Sequence, residues 1–372
     1  MHELIIIAQR FPFPPRHGDQ LAVSKLIKAA LTKKIDVTVW LPHREYKKWN
    51  GKPSRVKFKK LIFNPLHMIF NLLKHPFDPL QIKLFSGYQV KNLDHSSIIY
   101  IHSIRLSRVV SSSFLEKVNL GAQINHSKEL LEISRDTHSS FKRLIYHFEA
   151  YLIKNWYRKH LCLFRSVFSV SRNEFQEYGI ENLHVYSHGA NLPILKDTKV
   201  MHDNEKYIIG FWGNMDFTPN YHAALKFSKA AQKFGSIFNF TLFGRGSSKF
   251  LKDQSFSKVK ILGEVESILE EIDSIDILLN LVDSGAGFQN KTLEAWCRGV
   301  LVIGFPSAFR GLEGSEHLHY VIKNIDELEN MLISIDKDKM ITNAKNSVIW
   351  VAKNRDADLL NIEKLEIMEK KR

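Results

Sequence analysis

Short apolar runs rich in β-branched residues alternate with helical patterns from one end of the chain to the other. The strand-like runs are ELIIIAQ, DVTVWLP, SIIYIHS, AQINH and SVFSVS in the first half, and YIIGFWG, FNFTLFG, VKILG, DILLNLV and VLVIGF in the second. Strands that are apolar along their whole length, with helices between them, are typical of parallel sheets covered on both faces. The pattern therefore predicts an α/β protein built from doubly wound sheets.

One polar stretch, NLPILKDTKVMHDNEKY, divides the two series of strands and is typical of a linker. We predict a first Rossmann-like domain over residues 1–190, a linker over 191–206 and a second Rossmann-like domain over 207–345. The segment 346–372 has few helix breakers and predicts a long C-terminal helix. Ligands are expected at the carboxyl ends of the strands, and a cleft between the two domains is the natural site.

The composition narrows the class of protein. A chain of 372 residues, 44% of them hydrophobic, can form more than one core. Its two cysteines form no C-x-x-C pair, which favours a reducing compartment. The N-terminus has no basic leader before its apolar run, so we expect no signal peptide and a cytoplasmic protein. No cluster has convincing metal-ligand spacing, and the D-x-D at Asp356 and Asp358 falls in the predicted tail helix, where solvated carboxylates are expected.

The net charge of +14 suits nucleic acid, an anionic membrane surface or a phosphorylated ligand. The charge is concentrated in Arg44–Lys60, which holds eight Lys and Arg against one Glu, and the apolar run Leu61–Leu73 follows at once. This combination suits a peripheral contact with an anionic membrane. The alternative is a solvated basic loop followed by a core helix. The run is too short to span a bilayer.

A second motif lies in DSGAGFQNKTLEAWCRG, from Asp283 to Gly299. The two glycines fall between a predicted buried strand and a predicted helix that ends at Gly299. Glycines allow a sharp turn whose N–H groups approach a ligand, and a helix N-terminus favours a phosphate. Lys291 adds positive charge and Glu294, one turn later, offers acceptors to hydroxyl groups. The motif suits a nucleoside diphosphate. The alternative is a tight βα turn that binds no ligand and is followed by an ordinary helix with a solvated Lys and Glu.

The context of that motif resembles a known family. The stretches GFWGNMDFTPNYHAALKF, FTLFGRGSS, VKILGEV, GAGFQNKTLEAWCRGVLVIGF and FRGLEG look like the donor domain of retaining GT-B glycosyltransferases. They are most similar to the branch found in bacterial polysaccharide gene clusters. In the first half, FPFPPRHGDQLAVSKLIKAA and VFSVSRNEFQEYGIENLHVYSHGANL also resemble that family. The resemblance covers nearly the whole chain and is weakest between residues 44 and 97.

The resemblance implies a role for individual residues. Glu294 would hold the ribose hydroxyls, and the loop Gly285, Ala286, Gly287 and Phe288 would hold the diphosphate with Lys291. Glu264 and Val265 would lie beside the base. Gly18 and Asp19 would close over the phosphates from the first domain, and His126, at the end of the strand-like run AQINH, would face the donor sugar.

Two departures from the family bear on the donor site. Ala286 stands where the family often has an acid that reaches the donor sugar. The stretch GNMDFTPN, which begins with Gly213 and Asn214 at the expected edge of the cleft, lacks the Arg and Lys that the family often carries there. Arg245 and Lys291 are then the best remaining cations for the diphosphate.

Several of these residues also have a purely structural interpretation. His126 and His102 could be packed histidines at strand ends, and Arg245 could be a solvated loop cation. Gly213 could simply permit a turn, and Asp216 could cap the helix that follows.

We expect a retaining glycosyltransferase that moves a sugar from a nucleotide-diphosphate donor to a saccharide acceptor, which is expected to be lipid-linked, in surface polysaccharide synthesis. The nucleotide-sugar is a substrate, so no cofactor or metal is expected. One rival is a sugar-nucleotide epimerase on the same fold, which would need acid and base carboxylates that the sequence does not reveal. A second rival, suggested by charge alone, is a nucleic-acid-binding protein.

Overall fold

The protein is described by a computed structural model. It describes residues 3–15, 18–49, 55–90, 93–94, 96–122, 124–135, 137, 139–170, 172–186, 189–190, 193–194, 206–283, 290–312, 314–334 and 336–370. The predicted linker lies almost wholly outside these residues. The chain forms two compact units. Unit 1 comprises Met1–His188 and Ala357–Arg372, and unit 2 comprises Gly189–Asp356.

Unit 1 is built on a parallel sheet of seven strands in the order β3-β2-β1-β6-β7-β8-β9. The strands of unit 1, including the small antiparallel pair β4 and β5, are β1 Glu3–Ile7, β2 Asp36–Leu41, β3 Val56–Lys60, β4 Ile62–Phe63, β5 Tyr88–Gln89, β6 Ile98–Ile101, β7 Val118–Gly121, β8 Ser166–Ser169 and β9 Leu183–Val185. Its helices are α1 Gly18–Thr32, α2 His43–Tyr46, α3 Pro65–Lys74, α4 Leu80–Lys83, α5 His126–Arg135, α6 Ser140–His160 and α12 Ala357–Lys370.

Both faces of the unit 1 sheet are buried, which explains its continuously apolar strands. Leu4 and Ile6 of β1 enter one core together with helix α1, whereas Ile5 and Ile7 enter the opposite core. Because side chains alternate along a strand, each face needs its own apolar series. The predicted doubly wound architecture is therefore present.

Helix α12 belongs to unit 1 although it follows the whole of unit 2 in sequence. The helical C-terminal segment consists of α11 Lys337–Asn354, in unit 2, and α12. Leu365 and Met368 of α12 are fully buried in the core that contains α1. Each such side chain stabilises the packing by about 1.5–3 kcal/mol. Exposed Asp358 pairs with Lys28 of α1 at 2.6 Å.

Several strands of unit 1 differ from the sequence prediction, since β3, β4, β5 and β9 were not predicted and one predicted strand is misplaced. The predicted strand AQINH is wrong in its position, because β7 ends at Gly121, before this run, and His126 begins helix α5. Strand β3 was not predicted, because the alternation in Val56–Lys60 places lysines at every exposed position. It is an edge strand, where exposed lysines discourage pairing with another chain.

Unit 2 has a parallel sheet of six strands in the order β12-β11-β10-β13-β14-β15. The strands are β10 Ile208–Trp212, β11 Asn239–Phe243, β12 Val259–Gly263, β13 Ile277–Asn280, β14 Leu301–Gly304 and β15 Tyr320–Val321. The remaining helices are α7 Thr218–Phe234, α8 Ile268–Asp273, α9 Asn290–Cys297 and α10 Glu327–Ser334. All five strands predicted for this half of the chain are present.

No helix among the described residues combines the length and apolarity that a transmembrane span requires.

Candidate functional site

The candidate donor site of unit 2 lies where the order of its strands reverses. The chain runs outward from β10 to β12 and then returns to β13 on the other side of β10. In doubly wound sheets, the point at which the strand order reverses is where ligands bind. Gly213 and Asn214 follow β10, and helix α9, with Lys291 and Glu294, follows β13.

Lys291 is half-buried at this edge and is held by groups of the neighbouring strand and helix. Its Nζ donates to Oδ1 of Asn220 over 2.7 Å and lies 5.5 Å from the centre of the Phe211 ring. Removal of the ammonium group from water lowers the pKa of Lys291 to about 8, against the opposing effect of the Glu294 carboxylate. An amine with this pKa is mostly charged at neutral pH, and its remaining N–H groups can serve a ligand.

Glu294 lies one turn along α9 and is oriented by a buried tryptophan. Nε1 of Trp212, at the end of β10, donates to Oε2 of Glu294 over 2.9 Å. Trp212 is itself stacked on Phe243 of β11, with ring centres 5.6 Å apart. Among the described residues the second carboxylate oxygen, Oε1, has no protein partner. Glu294 thus presents a fixed acceptor at the carboxyl edge of the sheet.

Two glycines allow the loops to approach one another closely. Gly213 has φ of +149°, and a Cβ there would lie 2.9 Å from Cε of Lys291. Gly244 has φ of +110°, and its Cβ would lie 2.3 Å from the carbonyl oxygen of Gly213. Both φ values disfavour any side chain. The turn at Gly213 and the position of Lys291 therefore depend on each other.

The predicted cation Arg245 lies in the loop after β11 and is mostly exposed. Its Nε lies 3.4 Å from Oδ2 of Asp216, and Nζ of Lys249 lies 3.7 Å from Oδ1 of the same carboxylate. Asp216 therefore contacts two cations. Its own N–H bonds to Asn214 Oδ1 over 3.0 Å. Neighbouring Asn214 also accepts from Asn220 Nδ2 through its carbonyl oxygen, so it braces the residue that holds Lys291.

Two further sets of predicted donor contacts are less defined. Glu264 is exposed after β12, and Val265 is half-buried against the core of unit 2. The predicted diphosphate loop of Gly285, Ala286, Gly287 and Phe288 lies outside the described residues.

Unit 1 has a corresponding crevice where its own strand order reverses between β1 and β6. A cavity of about 230 Å³ lies there, lined by Gln9, Arg10, Asp19, His102, Ser103, Arg105, Gly121, Ile124 and His126. Asp19, in the first turn of α1, pairs with Arg10 at 3.0 Å. Exposed Gly18 begins α1, and open space surrounds the position that a Cβ would occupy. The cavity is polar and of a size suited to a sugar ring.

His126 lines this cavity from the first turn of α5. Buried Asn125 caps that helix, since its Oδ1 accepts from the N–H of Ser127 over 3.1 Å. Nδ1 of His126 lies 2.9 Å from Oε2 of Glu129. Burial tends to raise the pKa of Glu129, but the bond with His126 and the charge of Arg105 outweigh burial and lower it. Because a carboxylate only accepts, Nδ1 carries the hydrogen of this bond, and Nε2 is the ring nitrogen that could serve a ligand.

A buried polar chain lies behind the same cavity. Nζ of Lys364, on α12, donates to Oη of Tyr100 over 2.9 Å, and Oη lies 3.2 Å from Nδ1 of His102. Burial lowers the pKa of Lys364 to about 7. His102 is 4% exposed, yet it still lines the cavity.

Some residues of these sites have no sequence signal. Asn220, Trp212 and Phe211 support Lys291 and Glu294, and Arg105 and Glu129 flank His126. An asparagine in the first turn of a helix, or a tryptophan at a strand end, is ordinary on its own. Only the proximity of β10 and β13 in the sheet shows the role of Asn220, Trp212 and Phe211.

Most of unit 2, which contains Lys291 and Glu294, is similar to a known protein family. Residues 206–338 match the model of the family described as Glycosyl transferases group 1. A search of curated protein sequences finds no match.

Solved structures share the fold across the full chain. HepE from Anabaena, crystallised with UDP-glucose, is 15% identical with a TM-score of 0.61, and the match covers 100% of both chains. WaaG, a glycosyltransferase involved in lipopolysaccharide biosynthesis, is 11% identical with a TM-score of 0.61, covering 98% of this chain and 99% of WaaG.

A third structure is S. aureus TarM in complex with fondaparinux, α-GlcNAc-glycerol and UDP. It is 10% identical with a TM-score of 0.63, covering 99% of this chain and 100% of TarM. Residues 206–338 are thus similar to the Glycosyl transferases group 1 family, and the chain as a whole has the GT-B fold of these solved structures.

Proposed function

We propose that the protein is a retaining glycosyltransferase that moves a sugar from a nucleotide-diphosphate donor to a saccharide acceptor in the synthesis of a bacterial surface polysaccharide. The observation that carries this proposal is the pair Lys291 and Glu294 on α9, both oriented by residues around the end of β10. A fixed acceptor suits ribose hydroxyls, and an ammonium group one turn away suits the diphosphate.

The reaction follows from these two groups. Breaking the bond between the sugar and the diphosphate leaves negative charge on the leaving phosphate. A half-buried cation placed before the reaction begins stabilises that charge with little reorganisation. Glu294, whose ribose contacts exist before and after the step, contributes to binding and to the alignment of the donor.

The neighbouring structures support a uridine nucleotide as the first donor to test. HepE was crystallised with UDP-glucose, and TarM with UDP and a GlcNAc-glycerol compound. A thermal-melt series with UDP, GDP, ADP and their glucose conjugates would test binding. A ligand at a hundred times its Kd should add about 2.7 kcal/mol to the free energy of unfolding. If no nucleoside diphosphate or sugar nucleotide raises the melting temperature, the proposal is wrong.

Activity assays distinguish this proposal from its rivals. A transferase should release UDP faster when a saccharide acceptor is added, and NMR should show the anomeric configuration of the donor retained. An epimerase would convert the donor sugar without any acceptor. A nucleic-acid-binding protein would instead bind any polynucleotide with a steep dependence on salt.

We also propose that turnover needs no metal ion, because Lys291, aided by Arg245, supplies positive charge at the diphosphate. Among the described residues there is no group of three or more His, Cys, Asp or Glu side chains able to hold a metal. Addition of EDTA should leave the rate unchanged, and restoration of a lost rate by Mg²⁺ or Mn²⁺ would contradict this part of the proposal.

The acceptor is proposed to be lipid-linked and the enzyme to act at the inner face of the cytoplasmic membrane. Helix α3 supports this, because it has no buried residue, so that the alternative of a core helix is excluded. Leu66 is 76% exposed and Leu73 78%, and Ile69 and Phe70 are also exposed. An apolar helix that follows lysine-bearing β3 and the short strand β4 combines the two features that hold a protein on an anionic bilayer.

We expect two sets of substitutions to release the protein from vesicles that contain phosphatidylglycerol. One set replaces Lys47, Lys48, Lys57, Lys59 and Lys60 with Gln, and the other replaces Leu66, Phe70 and Leu73 with Ser. Each should lower the vesicle-bound fraction at least tenfold at low salt, because about 1 kcal/mol is lost per lysine near the surface and more per apolar side chain.

Sedimentation with vesicles measures this effect, and UDP affinity should not change. Replacement of exposed lysines of unit 2, such as Lys252 and Lys260, is the matched charge control. Wild-type protein that stays in the supernatant at low salt would contradict membrane association.

A further inference from the structure

A second cavity in unit 1, of about 480 Å³, lies between α4, α5 and α6. Six apolar side chains line it and contribute most of its surface, namely Leu80, Leu84, Leu130, Ile145, Phe148 and Leu152. The polar residues of its lining are Gln81, Lys83, Arg105, His126, Glu129, Tyr146 and Glu149. Leu80 and Leu84 are each 58% exposed and Phe148 is 60% exposed, so that the cavity opens to solvent. Its volume falls in the range of small-molecule sites, which is roughly 300–1,000 Å³.

This apolar cavity adjoins the polar cavity described above. Arg105 and His126 line both of them. Arg105 is fixed at the boundary, since its Nε donates to Oε1 of Gln81 over 2.9 Å. His126 is fixed by Glu129, which also lines the apolar cavity. The polar cavity is thus lined mostly by charged and polar residues, whereas the apolar cavity has a cluster of aliphatic and aromatic side chains with polar residues around it.

Two adjoining cavities of opposite polarity fit one amphiphilic ligand. Its polar end would meet Arg10, Asp19 and His126, and its apolar end would displace water from the leucines of α4 and α6. A free oligosaccharide would leave the apolar cavity wet, whereas a hydrocarbon chain gains about 0.8 kcal/mol for each CH₂ group that it buries.

We propose that the apolar cavity holds the first part of the acyl or prenyl chain of the acceptor, with the acceptor sugar in the polar cavity beside His126. This inference rests on the proposed function, whose lipid-linked acceptor it places at a defined site. It differs from the membrane contact of α3, because Leu66, Phe70 and Leu73 do not line the cavity.

Alkyl β-D-glucosides with chains of six, eight and ten carbons, used below their micellar concentrations, are suitable probes. Calorimetry with the full-length protein should show Kd falling about fourfold for each added CH₂ while the chain remains within the cavity. The variants Ile145→Gln and Leu84→Gln should raise the Kd of the decyl glucoside at least tenfold and flatten its dependence on chain length.

Leu144→Gln and Phe141→Gln are the matched controls, because both residues are exposed on the same helix α6 but do not line the cavity. They should change Kd less than twofold. A Kd independent of chain length in wild type, or an equal loss in the Leu144 variant, would overturn the inference, the latter by indicating general adhesion to the surface. Thermal melts of all four variants check folding.

UDP binding to the same proteins separates the two proposals. If wild type binds UDP but shows no dependence on alkyl chain length, the lipid site is wrong and the transferase proposal stands. If neither UDP nor any other nucleotide binds, the proposed function fails whatever the glucosides do.

Discussion

Replacement of Lys291 by alanine should lower kcat by roughly a hundredfold to a thousandfold while the KM for the donor changes little. The reason is that Lys291 meets charge that grows as the sugar–phosphate bond breaks, and an interaction of this kind is stronger in the transition state than in the bound donor. Loss of one such group in a preorganised site typically costs about 3–4 kcal/mol. Steady-state kinetics with the proposed donor would measure it.

Two further variants make the test specific. Lys291→Arg should recover only part of the rate, because a planar guanidinium cannot occupy the space of an ammonium group that bonds to Asn220 and lies beneath Gly213. Lys229→Ala, at an exposed position on α7, is the control and should have wild-type kinetics. Near-normal kcat in both Lys291 variants would show that the residue has only a structural role.

The lowered pKa of Lys291 gives the same prediction a pH dependence. The charged amine binds a diphosphate better than the neutral one, so UDP affinity should fall as the pH rises through about 8 in wild type and not in Lys291→Met. Without ligand, the effect of Lys291 on the stability of the fold has the opposite dependence on pH. Between about pH 8 and the ordinary lysine pKa of 10.5 the unfolded chain binds more protons at this lysine, so its contribution makes the folded state more stable as the pH rises.

Replacement of Glu294 should weaken UDP and the intact donor alike, by about a hundredfold in Kd. The ribose is present in both ligands, and each hydrogen bond to a charged group is worth about 1.5–3 kcal/mol. Glu294→Ala would also leave Nε1 of Trp212 without its partner, which destabilises the fold. Glu294→Gln is the better variant, because its amide oxygen can still accept from Trp212 while the other acceptor becomes a donor.

Calorimetry with UDP, alongside thermal melts, measures the Glu294 effect. Asp326→Ala removes an exposed acid of the same unit and should leave the affinity unchanged. If Glu294→Gln melts like wild type and binds UDP with unchanged affinity, the ribose assignment is wrong.

The sequence was enough for the architecture because the core strands are buried on both faces. In the run DILLNLV, for example, Ile277–Asn280 is buried along its whole length and forms strand β13 where a strand was predicted. It was not enough for β3, since an edge strand with exposed lysines looks like a basic loop. The strand before His126 was predicted too late in the sequence, because AQINH has the composition of a short buried strand. In the structure Asn125 caps helix α5 instead.

The residues of the candidate site likewise fall into those that a local sequence pattern predicts and those that it does not. Lys291 and Glu294 could be predicted because loop, helix start and spacing are local features of one segment. Their supports, Asn220 and Trp212, are 71 and 82 residues away in sequence, and only the pairing of β10 with β13 brings them near. The apolar cavity likewise depends on how α4, α5 and α6 meet, which no local pattern specifies.

The return of α12 to unit 1 has a consequence for biosynthesis. Unit 1 cannot bury the apolar surface that Leu365 and Met368 cover until the ribosome has also made all of unit 2. During translation this surface of the first 188 residues would stay exposed to solvent. The continuous segment Gly189–Asp356 could fold as soon as it leaves the ribosome. The later part of the chain should therefore become protease-resistant first, and a separately expressed unit 1 should need the α12 sequence joined to it.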